Sequence, residues 1–347
     1  MTRLHGGPDA HGRARWDFST NANAAGPCPQ AMAAVQEADP RHYPDPQYHA
    51  LREQLARWHK VAASRILIAA SASEFIQRMT AISSRLAPGA VALPVHAYGD
   101  YAAAAGAWGR AVVRHGDPSA TLSWHCNPSS PLGQDTQPPM PMPMPMPMPM
   151  PMPMPMPMPM PPAPAPAATG IAVLDAVYAP LRLEGTSPWN AAARDLAYQL
   201  HSPNKALGLT GIRGAYAIAP LHADDRIVRA LEAAEPSWPL GTHAVAMLSA
   251  WTTAGTQDWL AQSRSTLRAW KATQVGLLHA LGMDTAGSVA NFFCARLPPG
   301  CTVQALRERG IALRDATSFG LPGWVRLSVQ PPDAQAALAA ALQALQG

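Results

Sequence analysis

Ser202-Pro-Asn-Lys-Ala-Leu-Gly-Leu-Thr-Gly-Ile-Arg213 holds one of only three lysines in the chain, the others being Lys60 and Lys271. Pro203 and the glycines at 208 and 211 interrupt any helical or strand periodicity, so Lys205 falls on a connection. A lysine on a connection is ordinarily a solvated side chain, and the stretch alone leaves that reading open. Its surroundings are more definite. Downstream, Ala215-Tyr-Ala-Ile-Ala219 is an apolar run of strand length; upstream, Ile171-Ala-Val-Leu-Asp175 is another, and it ends on a carboxylate.

Farther out the same alternation continues. Arg65-Ile-Leu-Ile-Ala-Ala reads as a strand, followed by a helix beginning near Ser73-Glu74-Phe75. Ala90-Val-Ala-Leu-Pro reads as a strand before a helix at Tyr98–Trp108, and Ala120-Thr-Leu-Ser-Trp as a further strand. Strands alternating with helices predict an α/β fold with a mostly parallel, doubly wound sheet and ligands at the carboxyl ends of its strands. The last third reads as a smaller α+β unit. In it Trp324-Val-Arg-Leu-Ser-Val329 is a strand, and Asp333–Gln346 a helix with Leu338, Leu342 and Leu345 on one face. The expected division is an N-terminal arm and substrate loop at 1–45, a large domain at 46–240 and a small C-terminal α+β domain at 241–347.

Between Pro138 and Pro166 nearly every second residue is proline, mostly alternating with methionine. Such a run forbids helix and internal sheet and predicts polyproline II in a surface loop, where added length costs little entropy. Thioethers suit Cu(I), but a period of two on a three-residue turn spreads them around all sides, so no metal is expected. The chain has 347 residues, 48% hydrophobic and 14% charged, which describes a soluble globular protein. No apolar run is long enough for a membrane span, and the opening Met-Thr-Arg-Leu-His-Gly-Gly lacks the apolar core of a secretory signal. Cys28, Cys126, Cys294 and Cys301 fit no metal or disulfide spacing and read as free thiols of a cytoplasmic protein. The formal charge is +4, with basic residues scattered singly. That argues against nucleic acid and leaves room for a small anionic substrate.

Four segments carry chemistry when taken together: Asn127-Pro-Ser-Ser-Pro-Leu-Gly133, Leu174-Asp-Ala-Val-Tyr178, Ser202–Arg213 and Val325-Arg-Leu-Ser328. Singly each has an ordinary explanation, as a turn, a strand cap, a solvated loop or an outward arginine. In this order and spacing they resemble the pyridoxal-phosphate-dependent class I and II aminotransferases of fold type I, in the branch of histidinol-phosphate aminotransferase and threonine-phosphate decarboxylase. The resemblance runs from Asp17 to Val329, apart from the Met-Pro insert. It implies the aspartate aminotransferase-like fold, with pyridoxal 5'-phosphate held by Lys205 as a Schiff base. Asp175 matches the carboxylate that keeps the pyridine nitrogen protonated. Tyr178 and Asn127 match the donors to the ring's 3-oxygen. Ser202, Arg213 and the helix start at Ala72 and Ser73 match the phosphate cradle. Tyr98 matches the aromatic stacked on the ring, and Arg326 the grip on a substrate carboxylate. His42-Tyr-Pro-Asp-Pro-Gln47 looks like the segment whose tyrosine, here Tyr43, reaches the phosphate in a neighbouring subunit, which implies a homodimer with shared sites. Asp17–Pro27 looks like the substrate loop, with Asn23 as a contact.

There are departures. Asn204 precedes the lysine where serine or threonine is usual, Ser129-Ser130 replaces a second asparagine pair, and Ala176 stands for a frequent glutamate. His5-Gly6-Gly7 and Arg314-Asp-Ala-Thr-Ser-Phe-Gly-Leu-Pro322 are similar to segments of the decarboxylase subgroup. The expected reaction is therefore decarboxylation of L-threonine O-3-phosphate to aminopropanol phosphate, as in cobalamin biosynthesis. The alternative is transamination of histidinol phosphate or a related amino acid. The two differ in which bond at the substrate α-carbon lies perpendicular to the cofactor ring. A third possibility is a non-catalytic protein keeping the fold, for which Lys205, Asp175 and Arg213 together would have no use.

Overall fold

The computed structural model describes residues 5–139 and 170–346. The expected polyproline II conformation falls on a run that lies, but for Pro138 and Pro139, outside the described residues. In chain order the principal elements are β1 (Trp16–Asp17), α1 (Pro29–Glu37), α2 (His49–His59), β2 (Ile66–Ala69), α3 (Ala72–Leu86), β3 (Ala90–Leu93), α4 (Gly99–Ala107), β4 (Val112–Arg114) and β5 (Ala120–Cys126). There follow β6 (Ile171–Asp175), α5 (Ala191–Arg194), β7 (Tyr198–His201), β8 (Ala215–Ile218), α6 (Asp225–Ala233), α7 (Thr242–Trp251) and α8 (Ala254–Ala280). The chain closes with β9 (Phe292–Arg296), α9 (Val303–Glu308), β10 (Ile311–Ala312), β11 (Arg314–Asp315), β12 (Trp324–Ser328) and α10 (Pro332–Gln346).

Seven strands form one sheet in the order β2-β8-β7-β6-β5-β3-β4. β4, β3, β5, β6 and β7 run parallel, and β8 is antiparallel to both of its neighbours. Ile-Leu-Ile-Ala in β2, Ala-Val-Ala-Leu in β3 and Ala-Tyr-Ala-Ile in β8 are buried at every position. Continuous apolar strands are what helices on both faces of a sheet require, and this is the expected fold class.

β7 has no apolar run of its own, since Gln199 and His201 alternate with Tyr198 and Leu200. It is a strand because β6 and β8 supply ladders on both sides, a tertiary cause that local sequence does not carry. The second sheet, β11-β12-β9, is antiparallel. Leu260, Leu267 and Leu278 of the 27-residue helix α8 are buried in the core that this part of the molecule shares with α1, α2 and α7. Each such leucine is worth ~1.5–3 kcal/mol of apolar burial. Trp16–Asp17 pairs in parallel with Ile311–Ala312, so the N-terminal segment is stitched to the C-terminal third and passes close to the carboxyl ends of the large sheet. Among the described residues no helix is long and apolar enough to cross a membrane, and all four cysteines are free thiols.

Candidate active site

Parallel β5 and β6 are in register so that Cys126 is paired with Asp175, and Asp175 with Leu200 of β7. Their carboxyl ends therefore open onto one place, and Ser202 and Lys205 follow just beyond β7. A cavity of about 910 Å³ lies there, and Lys205, Asp175, Tyr178, Ser202, Arg213, Ala72, Ser73, Tyr98 and Arg326 all line it. The topology thus gathers side chains spread over more than 250 positions of sequence.

Asp175 is buried. Its Oδ1 accepts from the Val177 amide at 3.0 Å and its Oδ2 from the Tyr101 hydroxyl at 2.6 Å. Burial pushes its carboxyl above the ordinary carboxylate range, and the Tyr101 hydroxyl, the Val177 amide and the charge of Lys205 pull the other way. Lys205 Nζ lies 5.6 Å from the centre of the Tyr178 ring. Gly208 has φ +69°, and a β-carbon there would come within 2.7 Å of the Gly26 carbonyl oxygen. Glycine is thus required where the lysine loop packs against the N-terminal segment. Asn204 closes the same loop, accepting from Ser202 Oγ at 3.1 Å and donating to the Ile212 carbonyl at 3.3 Å.

At the opposite wall α3 begins with a reciprocal cap. Ser71 Oγ accepts from the Glu74 amide and Glu74 Oε2 from the Ala70 amide, each at 3.1 Å. The helix therefore starts at Ala72, and its first residues Ala72 and Ser73 line the cavity together with Ser202 and Arg213. That grouping suits a dianionic phosphate. With an amine at Lys205 and a buried carboxylate at Asp175, the donor set fits pyridoxal phosphate. Asn21 Oδ1 and Arg326 Nε, on side chains that line the cavity, are buried without a hydrogen-bond partner among the described residues.

Two expected contacts, Asn127 and Asn23, are not brought to the cavity. Asn127 spends both ends of its amide elsewhere, accepting from Arg182 Nη2 at 2.7 Å and donating to the Thr136 carbonyl at 3.2 Å. Three residues on, Ser130 lines the wall and accepts from Arg326 Nη1 at 3.4 Å. Asn23 donates to the Ala206 carbonyl and Ser263 Oγ, a brace behind the lysine loop. Two residues earlier, Asn21 lines the cavity and donates to the Tyr178 hydroxyl at 3.3 Å. Tyr43, expected at the site of a neighbouring subunit, is 77% exposed and stacked on Trp238.

Sequence reasoning also passed over Arg314 as a site residue. β11 pairs Arg314 directly opposite Arg326 on β12, and both line the cavity. Burial, with Arg326 beside it, pushes the Arg314 guanidinium down from its ordinary value. Arg314 donates to the Asp315 carbonyl and to Ser318 Oγ, and an anionic ligand would further offset the cost of like charges placed directly opposite. His5 and Gly6 close the wall nearest Asp100. Gly7 donates its amide to Ser19 Oγ at 2.8 Å, and the Ser19 carbonyl accepts from Arg326 Nη2 at 3.0 Å.

The family model described as Aminotransferase class I and II matches residues 165–345, just over half of the chain. The chain is 27% identical to histidinol-phosphate aminotransferase 1 of Thiobacillus denitrificans, covering 90% of this chain and 80% of the relative. Its fold is similar to that of L-threonine-O-3-phosphate decarboxylase from Porphyromonas gingivalis, with a TM-score of 0.72 and 21% identity over 95% of this chain and 98% of the other. It is likewise similar to histidinol-phosphate aminotransferase from Sinorhizobium meliloti in complex with pyridoxal-5'-phosphate, with a TM-score of 0.76 and 19% identity over 99% and 95% of the two chains.

Proposed function

The chain belongs to the class I and II aminotransferase family, whose chemistry is pyridoxal-phosphate-dependent, and we propose that it decarboxylates L-threonine O-3-phosphate to aminopropanol phosphate. The observation that carries this reading is the pairing of Arg314 with Arg326 in one cavity. Two guanidiniums side by side suit a substrate with two anionic groups, a carboxylate and a phosphate. The strap His5-Gly6-Gly7, similar to the opening of the decarboxylase subgroup, supports the same choice because it is tied to the Ser19 carbonyl loop that holds Arg326.

Pyridoxal phosphate, when bound, supplies an electron sink for the substrate's α-carbon. The chain's own groups do the rest. Asp175 would hold the protonated ring nitrogen, Tyr178 would donate to the ring's 3-oxygen, and Ser202, Arg213 and the start of α3 would hold the phosphate. Arg326 orients the carboxylate, and Lys205 Nζ is the group that can return a proton to the α-carbon. The second reading, transamination of histidinol phosphate, is favoured by the name of the relative from Thiobacillus denitrificans.

Incubation of the purified holoenzyme with L-threonine O-3-phosphate separates the two. Carbon dioxide released without any keto acid is the expected result. Turnover only with histidinol phosphate and 2-oxoglutarate, yielding glutamate, would replace the first reading by the second. A further expectation concerns the strap. A β-carbon on Gly6 would lie 2.1 Å from the Ser19 carbonyl oxygen, so Gly6→Ala must lift the strap. KM is expected to rise about tenfold, the value of one net hydrogen bond, with the cofactor's absorbance unchanged. A KM equal to that of the parent would show that the strap does not reach the substrate.

A further inference from the structure

Tyr101 lies one turn after Tyr98 along the start of α4, on the same face of the helix. It is fully buried, and its ring stacks on the Trp124 indole at 4.9 Å with an interplanar angle of 8°. The edge of the Tyr98 ring meets it at 5.6 Å and 86°. Its hydroxyl points to a buried carboxylate that lines the cavity, 2.6 Å from Asp175 Oδ2. A single buried phenol thus touches both the aromatic that borders the cavity and the carboxylate beneath it.

We propose that Tyr101 is a positioning residue of the active site: its hydroxyl fixes the plane of the Asp175 carboxylate and holds its charge, leaving the carboxylate's remaining lone pairs to serve the cofactor's ring nitrogen. The proposal rests on the reading that Asp175 faces that nitrogen. A hydroxyl donating to an ionised carboxylate is a strong hydrogen bond, stronger still where water is excluded. Without it, Asp175 Oδ2 loses the donor it has among the described residues while Oδ1 keeps the Val177 amide. The groups that face Asp175 are Tyr101 from α4, Cys126 from β5 and Lys205 from the loop after β7. Among them the Tyr101 hydroxyl opposes the upward push of burial most. The Cys126 thiol is itself driven well up by burial and by Asp175, so it stays neutral and cannot take over the charge.

Tyr101→Phe keeps the stack on Trp124 and removes only the oxygen. In the full-length holoenzyme the acid limb of the kcat profile is expected to move to higher pH by about one unit, and the dissociation constant for pyridoxal phosphate to rise about tenfold. The substrate KM at alkaline pH should stay that of the parent. In an Asp175→Asn background the same change should leave the pH limb where it is, because no carboxylate remains to be held. A lower melting temperature with an unmoved pH limb and unchanged cofactor affinity would overturn the proposal, since a merely structural tyrosine gives that result. An equal shift of the limb in the Asp175→Asn background would overturn it too. If the parent protein binds no pyridoxal phosphate, as judged by absorbance, it is the cofactor-site reading that fails, a result distinct from either of these.

Discussion

Lys205→Ala is expected to give a folded protein without the visible absorbance band of covalently held cofactor and with turnover reduced about 1,000-fold or more, the upper range of what a positioned acid–base group contributes. The fold should survive because the loop is held by its backbone. The Lys205 carbonyl accepts from the Asn23 amide at 2.9 Å and the Gly208 amide at 3.2 Å, and Gly208 packs on the Gly26 carbonyl. None of these contacts uses the side chain. Ser202, Arg213 and the first amides of α3 would still offer a phosphate site, so the variant should retain cofactor weakly and lose it on dialysis. Absorbance before and after dialysis, with a melting curve beside it, makes the comparison. A variant that keeps its band through dialysis would sink the assignment of Lys205, and one that keeps its turnover would sink the catalytic reading as a whole.

β2, β3, β6 and β8 of the large sheet were legible because they are short apolar runs, as burial on both faces of a sheet requires. The elements that escaped notice owe their state to neighbours. β7 is a strand by virtue of β6 and β8, and Phe292–Arg296 is one because β12 lies against it. No pattern within four or five residues carries that information.

Site residues divide along a similar line. Lys205, Asp175, Tyr178, Ser202 and Arg213 were named through the resemblance, and all five line the cavity: the first four sit at or just past the carboxyl ends of β6 and β7, and Arg213 just before antiparallel β8. Asn127 and Asn23 were nominated from segments whose turns decide which residue faces inward. In each segment the inward position belongs to a neighbour: Ser130 three residues later and Asn21 two residues earlier. Arg314 could have been found from the hairpin, since a strand pairing that sets it opposite Arg326 follows once β11 and β12 are recognised. Tyr101 had a signal in its spacing from Tyr98, one helical turn, but only the fold reveals that its hydroxyl ends on Asp175.

Arg326→Ala should separate substrate grip from cofactor binding. Arg326 is buried, donates to the Ser19 carbonyl and Ser130 Oγ, and keeps Nε without a partner among the described residues. Its removal should lower kcat/KM for an anionic amino acid by a factor of about 30 to 4,000, the ~2–5 kcal/mol lost when one partner of a buried, hydrogen-bonded charge pair is truncated. Stability is expected to move far less. The substitution orphans one carbonyl, which costs ~1–3 kcal/mol, but it also relieves the like charge of Arg314 directly opposite. The cofactor's absorbance should be unchanged, because the residues proposed to hold its phosphate and ring lie on other elements. Arg326→Lys should recover only part of the loss, since an ammonium cannot bind a carboxylate through two parallel hydrogen bonds. The product is as informative as the rate: a carboxylate no longer held in one orientation lets the substrate turn, so a decarboxylase so altered, given 2-oxoglutarate to accept the amino group, should release a keto product and glutamate beside the amine. Full kcat/KM in Arg326→Ala would exclude the carboxylate grip, and with it the pairing of Arg314 and Arg326 as the basis of substrate choice.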